Sequence, residues 1–196
     1  MLGNETYHEV VRRELVARYC DRTFSLVNAG VGGENTPGAL QRLQRDVLDH
    51  CPDLVFVCFG LNDCAGGIAG ETDFRRNLAE IVRRISRVAA VILLTPNMMA
   101  SRDNPNVDPN YKARIHEFVR HQNDGTLARY VEIIRQVAQE TATPLADAYA
   151  EWTRRQAAGE DMTLWLANGI NHPDARGHRL FADAALKALD AALETA

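Results

Sequence analysis

The chain has 196 residues, of which 46% are hydrophobic, and this is enough for one compact core. Its formal charge of −4, with Lys and Arg scattered along the sequence, argues against binding to nucleic acid or to an anionic membrane. No apolar run approaches the roughly 20 residues of a membrane-spanning helix, and residues 1–20 lack a signal-peptide pattern. We therefore expect one soluble, cytoplasmic domain over residues 1–196, unless the natural protein extends upstream and carries a signal there.

The cysteines support the same location. They lack the paired spacing of metal ligands, and two of them lie in or beside apolar segments. Buried thiols in a reducing compartment are expected, without a disulfide framework. The four positions are Cys20, Cys51, Cys58 and Cys64.

The first half of the chain alternates between helical and strand patterns. Residues 5–20 have helical spacing of apolar residues, and the run FSLVNAG (24–30) predicts a short strand over 24–27. Gly, Asn and Pro then mark a loop before a second helix at 37–50. The segment LVFVCFG (54–60) is apolar on both faces, which is typical of a strand buried in a parallel sheet.

The alternation continues to the end of the chain. We predict a helix at 72–87, a buried strand at 89–96, a long helix at 110–140, a short strand at 143–149 and a last helix at 174–193. Strands that alternate with helices in this way indicate a doubly wound α/β domain with a parallel sheet.

Ligands in such sheets bind beyond the carboxyl ends of the strands. Three segments at such places carry polar residues and glycines: 28–35, 60–63 and the loop 168–173 before the last helix. Glycine lets backbone N–H groups approach a ligand oxygen closely, and an Asn side chain adds another donor. Gly33 N–H and Asn62 are therefore the predicted oxyanion donors.

Each of these features has a simpler interpretation. The glycines also suit a tight turn, and Asn62-Asp63 also suits a turn or a helix N-cap. Binding of a nucleotide by GVGGEN is disfavoured, because the Rossmann pattern needs Gly or Ala where Asn35 stands and no Lys-Ser/Thr pair follows.

His172 lies in a loop before Pro173, as expected of a site residue, although a lone loop histidine is more often an ordinary surface residue. The other histidines fall in helix-like segments, and no pair of them has a convincing metal-ligand context. They are His8, His50, His116, His121 and His178.

Taken in order, NAGVGGENT, VCFGLND and NGINHPDARGH resemble the second, third and fifth blocks of the SGNH or GDSL hydrolase superfamily. The resemblance spans nearly the whole chain and implies a three-layer α/β/α, flavodoxin-like fold. It also implies an oxyanion glycine at Gly33, an oxyanion asparagine at Asn62 and a catalytic base at His172. Asn28 and Asp63, beside these positions, are expected to contact substrate.

In that family a serine attacks an ester carbonyl, and the histidine takes its proton and later protonates the leaving alcohol. The family's first block, a strand followed by Gly-Asp-Ser, would precede residue 1 here. That strand would lie between the strands at 24–27 and 54–59. We therefore expect the chain to lack the first strand and the nucleophile. Of Ser25, Ser86 and Ser101, only Ser101 follows a strand, and it lacks a supporting motif.

The acid that orients the histidine is a second departure. The family usually places it three residues earlier, where this chain has Gly169. Asn168 could hold the ring without supplying a negative charge. Asp147, Asp161, Asp174 or a backbone carbonyl remain as alternatives.

The resemblance thus implies a carboxylic ester hydrolase that acts on a small acyl or carbohydrate ester and needs no metal or organic cofactor. The absent serine supports a competing hypothesis, a catalytically inactive binding or scaffold domain of the same fold. A flavodoxin-like nucleotide-binding domain would share the fold class but lacks the motifs.

Overall fold

The computed structural model describes residues 5–194, which form α-helices and short parallel strands in alternation. In chain order these are α1 (Tyr7–Arg18), α2 (Thr36–Asp46), β1 (Leu54–Cys58), α3 (Gly67–Ile85), β2 (Ala90–Leu94), α4 (Ile115–Asn123), α5 (Thr126–Glu140), β3 (Leu145–Ala146), α6 (Ala148–Ala157) and α7 (Ala175–Glu194). Short 3-10 turns lie at Leu48–His50, Asp63–Gly66, Pro109–Arg114 and Met162–Trp165.

The strands form one parallel sheet in the order β1-β2-β3. Leu54 pairs with Ala90 and Cys58 with Leu94, so β1 and β2 run side by side over their whole length. Leu94 of β2 also pairs with Ala146 of β3. Because all three strands run the same way, their carboxyl ends lie at one edge of the sheet, as the sequence predicted.

Helices cover both faces of the sheet. Successive side chains of β2 point to opposite faces, so Val91 and Leu93 join the core that includes α2, α3 and α5. Ile92 and Leu94 join the core made with α1 and α7. This arrangement confirms the three-layer α/β/α fold with a parallel sheet.

The predicted strand at 24–27 is wrong. Residues 24–27 have no strand assignment, and Leu26 and Val27 are 43% and 58% exposed. A strand needs a neighbour to satisfy its N–H and C=O groups, and within residues 5–194 no strand lies beside this segment. The outer edge of β1 is likewise unpaired within the described chain.

The predicted long helix at 110–140 is divided into α4 and α5. Gly125 has φ of +78°, a left-handed conformation that α-helices do not continue through, and the preceding Asp124 accepts a hydrogen bond from Thr126 N at 2.8 Å. The Asp-Gly pair therefore ends one helix and caps the next.

The predicted strand at 143–149 is shorter than expected, because Asp147 caps a helix that the sequence analysis missed. Its side chain accepts from Ala150 N at 3.1 Å in the first turn of α6. The prediction of a second helix at 37–50 was closer: α2 ends at Asp46 and a 3-10 turn continues to His50.

Candidate active site at the carboxyl edge of the sheet

The turn after β1 brings Asn62 to the carboxyl edge of the sheet. Gly60 has φ of +106°, and a Cβ atom built there would lie 3.2 Å from Ile134 Cδ1. Glycine relieves both the backbone strain and this crowding. The chain then enters the 3-10 turn at Asp63–Gly66, and Asn62 immediately precedes it.

The glycine-rich segment 28–35 forms a loop that leads into α2. Asn28 Oδ1 accepts from Gly30 N at 3.0 Å, and Glu34 N donates to Val31 O at 3.3 Å to close a turn. Gly33 lies in this turn, with φ of +76° and an exposed backbone. Asn35 ends the loop as the N-cap of α2.

Asn62 joins these two segments. Its side-chain Nδ2 donates to the backbone carbonyl of Glu34 at 2.8 Å. The alternative that Asn62 caps a helix does not hold, because its side chain makes no capping hydrogen bond to the following turn. The structure therefore brings Asn62 against the loop that carries Gly33.

Asp63 binds both segments as well. Its Oδ1 accepts from Thr36 N at 2.8 Å and from Thr36 Oγ1 at 2.7 Å. Its Oδ2 accepts from Gly60 N at 3.1 Å. These bonds were not foreseen from the sequence, since Thr36 and Asp63 are far apart in the chain and neither belongs to a periodic pattern.

Arg42 of α2 holds the far side of the same loop. Its guanidinium donates to Ala29 O at 2.6 Å and pairs with the carboxylates of Glu34 and Asp46. The Glu34 carboxylate, followed by the smaller contribution of Asp46, raises the pKa of Arg42. The Arg42 side chain is only 15% exposed, and the sequence analysis missed it because arginine at this helix position resembles a solvent-facing residue.

A cavity of about 150 Å³ lies between the glycine-rich loop and the end of β1. Residues from the loop, from α2, from β1 and its turn, and from the segment after β2 line it, among them Gly30, Glu34, Arg42, Cys58, Asn62 and Pro96. Cys58 borders this cavity, and burial raises the pKa of its thiol to about 12. A thiol that holds its proton so firmly is a poor nucleophile at neutral pH.

The loop that carries His172 is anchored to the segment after β2. Asn97 Nδ2 donates to Asn171 O at 2.8 Å, and Ala100 N donates to Ile170 O at 2.8 Å. Asn97 directly follows Pro96 of the cavity wall. His172 is thus held at the same edge of the sheet as Asn62, with an exposed side chain.

Asn168 shapes this loop through its carboxamide oxygen. That oxygen accepts from the backbone N–H groups of Ile170, Asn171 and His172 at 2.9–3.1 Å. Its Nδ2 donates to Asn171 Oδ1 at 3.1 Å. The hydrogen bonds of Asn168 therefore reach the backbone of His172, and its predicted role toward the imidazole ring stays a prediction.

The aspartates considered as partners of His172 all have other contacts. Asp147 accepts from Thr95 Oγ1 at 2.9 Å, Asp161 pairs with Arg102, and Asp174 accepts from Gly177 N at 3.1 Å in the first turn of α7. None of these contacts involves His172.

The serines lie away from the cavity wall. Ser25 is exposed in the segment before the glycine-rich loop, and Ser86 Oγ donates to Val82 O at 2.7 Å at the end of α3. Ser101 Oγ lies 3.1 Å from Thr163 Oγ1. Within residues 5–194, no group of three or more His, Cys, Asp or Glu side chains is arranged to hold a metal ion.

A model of the GDSL-like lipase/acylhydrolase family matches residues 2–180. The chain belongs to this family. Its family is one of ester hydrolases, as the ordered sequence blocks predicted. The cavity lies at the carboxyl ends of the strands, where parallel α/β sheets bind ligands.

Solved structures of an α/β hydrolase and an acetylxylan esterase share the fold. LAE5, an α/β hydrolase enzyme from the metagenome of Lake Arreo, Spain, is 25% identical with a TM-score of 0.72, covering 93% of this chain and 80% of its own. Axe2, an acetylxylan esterase from Geobacillus stearothermophilus, is 22% identical with a TM-score of 0.71, covering 94% and 80%.

A curated relative of this GDSL-like chain is the uncharacterized lipoprotein YqeF of Bacillus subtilis (strain 168). It is 25% identical over an alignment of 176 residues, and the match covers 80% of this chain and 70% of the relative. Among the helices in residues 5–194, none combines the length and apolarity needed to cross a bilayer.

Proposed function

We propose that this chain forms most of a carboxylic ester hydrolase for small acyl or carbohydrate esters. The observation that carries the proposal is the hydrogen bond from Asn62 Nδ2 to Glu34 O, which joins the two predicted oxyanion segments beside a cavity. A cavity of about 150 Å³ suits a short acyl group better than a long chain, because sites for drug-sized ligands are larger. The acetylxylan esterase among the structural neighbours supports the same substrate class.

The nucleophile in this proposal is a serine on a strand that pairs with the outer edge of β1. The unpaired edge of β1 and the exposed apolar side chains of Leu26 and Val27 support this position. They would flank an added strand and lose water-exposed apolar surface on its arrival. None of the serines at 25, 86 and 101 lines the cavity, which also supports a nucleophile from another segment.

The reaction then follows acyl transfer through a covalent intermediate. The serine Oγ attacks the ester carbonyl carbon while His172 accepts the hydroxyl proton, and the carbonyl oxygen becomes an oxyanion. Gly33 N–H and the Asn62 amide donate to that oxyanion. The C–O bond to the alcohol breaks as His172 returns the proton to the leaving oxygen. Water, deprotonated by His172, then attacks the acyl carbon. The bond from that carbon to the serine oxygen breaks, the acid leaves, and His172 returns the proton to the serine.

The codons directly upstream of Met1 provide the first test. They are expected to encode, in frame, a strand followed by Gly-Asp-Ser. A stop codon directly before Met1 with no such segment would contradict the position proposed for the nucleophile. The chain preceded by that segment is called the serine-bearing form below.

Hydrolysis of p-nitrophenyl acetate provides the second test. The serine-bearing form is expected to be active, and its serine-to-alanine variant and the chain starting at Met1 are expected to be inactive. His172→Ala in the serine-bearing form is expected to abolish turnover, while His116→Ala, at an exposed site on α4, is expected to leave it unchanged. Equal inactivity of the serine-bearing form and the chain starting at Met1 would favour the alternative, an inactive binding or scaffold domain.

The proposed location is the cytoplasm, where the four unpaired cysteines would stay reduced. The lipoprotein among the relatives supports a membrane-anchored location instead. Fractionation of native cells separates the two: recovery of the protein with the membrane would contradict the proposal.

A further inference from the structure

Asp63 connects the turn after β1 to the start of α2, two backbone segments whose relative position the predicted active site depends on. One carboxylate oxygen, Oδ1, accepts both the backbone N–H and the hydroxyl of Thr36, at 2.8 and 2.7 Å. The other, Oδ2, accepts from Gly60 N at 3.1 Å. Thr36 is the first residue of α2, directly after the glycine-rich loop, and Gly60 lies in the turn between the end of β1 and Asn62.

The Thr36 end of this contact is fully buried. Thr36 is 0% exposed, and its N–H belongs to the first turn of α2, where backbone N–H groups have no partner within the helix. Loss of the carboxylate would leave two buried donors of Thr36 unpaired. A negative charge at this position is also favoured by the positive end of the helix dipole.

The Gly60 end of this contact fixes the turn that aims Asn62. Asn62 lies between Gly60 and Asp63, so the hydrogen bond that Gly60 N donates to Asp63 Oδ2 closes the turn around it. Asn62 Nδ2 then reaches Glu34 O, two residues before Thr36. The Asp63–Thr36 and Asn62–Glu34 hydrogen bonds join the same two segments. Asp63 therefore fixes the separation between these segments that the Asn62 side chain bridges.

We infer that Asp63 is a positioning residue that holds Asn62 and the glycine-rich loop in the geometry needed to bind an oxyanion. This inference rests on the proposed function. It replaces the expected substrate contact of Asp63, because both carboxylate oxygens already accept hydrogen bonds from the protein. Asp63 acts through Asn62 and does not touch the ester.

Substitutions divide the contact into its two halves. Asp63→Asn can keep an acceptor oxygen toward Thr36, but it places an NH2 group against the N–H of Gly60. Asp63→Ala removes both acceptors. Thr36→Val removes only the hydroxyl bond and leaves Gly60 paired. Asp63→Asn is therefore the variant that decides the result if Asp63→Ala does not fold.

A matched control exists at the start of α5. Asp124 Oδ1 accepts from Thr126 N at 2.8 Å, which reproduces the Asp-to-Thr backbone bond at a helix start. Asp124 does not line the cavity. Asp124→Asn is thus a change of the same chemistry that leaves the connection between Asn62 and the loop intact.

Amide hydrogen exchange on the chain of 196 residues, read by NMR, tests the positioning role directly. Asp63→Asn is expected to speed exchange at Gly60 N–H and at the side-chain amide of Asn62 by about tenfold or more, with less effect at Thr36. Thr36→Val and Asp124→Asn are expected to leave the Asn62 side-chain amide unchanged. Unchanged exchange of the Asn62 amide in folded Asp63→Asn would overturn the inference.

Kinetics of the serine-bearing form supply a second readout. Asp63→Asn is expected to lower kcat for p-nitrophenyl acetate about 10- to 100-fold with KM within about twofold, since misplacement of a transition-state donor affects the chemical step. An equal fall in Asp124→Asn would overturn the positioning role. If the unsubstituted serine-bearing form is inactive, the proposed function fails, while the exchange measurement still decides the role of Asp63.

Discussion

The side-chain amide of Asn62 donates to the backbone carbonyl of Glu34 at 2.8 Å, and this bond joins the turn after β1 to the loop before α2. One of the two amide hydrogens of Asn62 is used in this bond. The other makes no hydrogen bond to a protein atom within residues 5–194, and Asn62 lines the cavity, so we expect this hydrogen to donate to the oxyanion.

Arg42 is expected to stabilise the glycine-rich loop more than its neighbour Arg45 does. Arg42→Ala removes bonds to Ala29 O, Glu34 and Asp46 at a largely buried site and leaves the Glu34 carboxylate unpaired. We expect the free energy of unfolding to fall by roughly 2 kcal/mol.

Arg45→Ala is the control, because Arg45 pairs with the same Asp46 but is 78% exposed. It is expected to have no measurable effect. Urea denaturation of both variants checks this. An equal fall in the free energy of unfolding in the two variants would show that the buried Arg42 contacts add no stability beyond that of an exposed ion pair.

Gly169 is expected to be indispensable for the loop that carries His172. It has φ of +71°, and a Cβ atom there would lie 2.5 Å from Val107 N. Gly169→Ala therefore adds a backbone clash to left-handed strain, and we expect a loss of roughly 2 kcal/mol or more in the free energy of unfolding.

Gly159→Ala separates strain from clash. Gly159 has φ of +92° but nothing within 4 Å of an added Cβ atom. Gly159→Ala is therefore expected to lower the free energy of unfolding by only roughly 1 kcal/mol. A loss in Gly169→Ala no larger than this, measured by urea denaturation, would contradict the tight seating of the loop against Val107.

Protonation of His178 is expected to lower the free energy of unfolding as the pH falls from neutral to mildly acidic. Burial lowers the pKa of His178, and the nearby positive charge of His8 adds to this effect, while its buried Nδ1 has no hydrogen-bond partner. Since the native pKa lies below the ordinary value of 6.5, the unfolded chain binds the proton first as the pH falls. The stabilisation is thus complete above pH 6.5 and is lost as the pH falls toward the native pKa.

Unfolding free energies at about pH 7.5 and about pH 5.5 check this expectation. The free energy of unfolding is expected to differ less between the two pH values in His178→Gln than in the unsubstituted chain. The difference is expected to persist in the control His116→Gln, whose histidine is exposed. An unaltered difference in His178→Gln would assign the acid sensitivity to other groups.

The buried strands could be predicted from sequence because their composition alone reports their surroundings. Val57, Leu93 and Leu94 are buried in the sheet, and continuous apolar runs are typical of parallel strands covered on both faces. The segment at 24–27 also contains strand-forming residues, yet it forms no strand, because pairing depends on a neighbour that lies elsewhere in sequence. Strand propensity reports the residue's own preference and not the presence of a partner.

Some features of the candidate site could likewise be predicted from the sequence, and others could not. Gly33 and Asn62 could be named because their blocks follow predicted strands, and His172 because its block precedes the last predicted helix. The contacts of Asp63 with Thr36 and of Arg42 with Ala29 O could not, since single hydrogen bonds between distant segments leave no periodic signal. The Asp-Gly break at 124–125 lay within helical spacing and became visible only through the left-handed φ of Gly125.

The most direct test of the account is the turnover number for p-nitrophenyl acetate of the serine-bearing form with Asn62→Ala. Loss of one oxyanion donor is expected to lower kcat about 10²- to 10³-fold with little change in KM. Asn123→Ala is the control, because Asn123 also donates a side-chain amide to a backbone carbonyl, that of Ser101, at 2.9 Å. A kcat for Asn62→Ala equal to that of Asn123→Ala would contradict the assignment of Asn62 to the oxyanion.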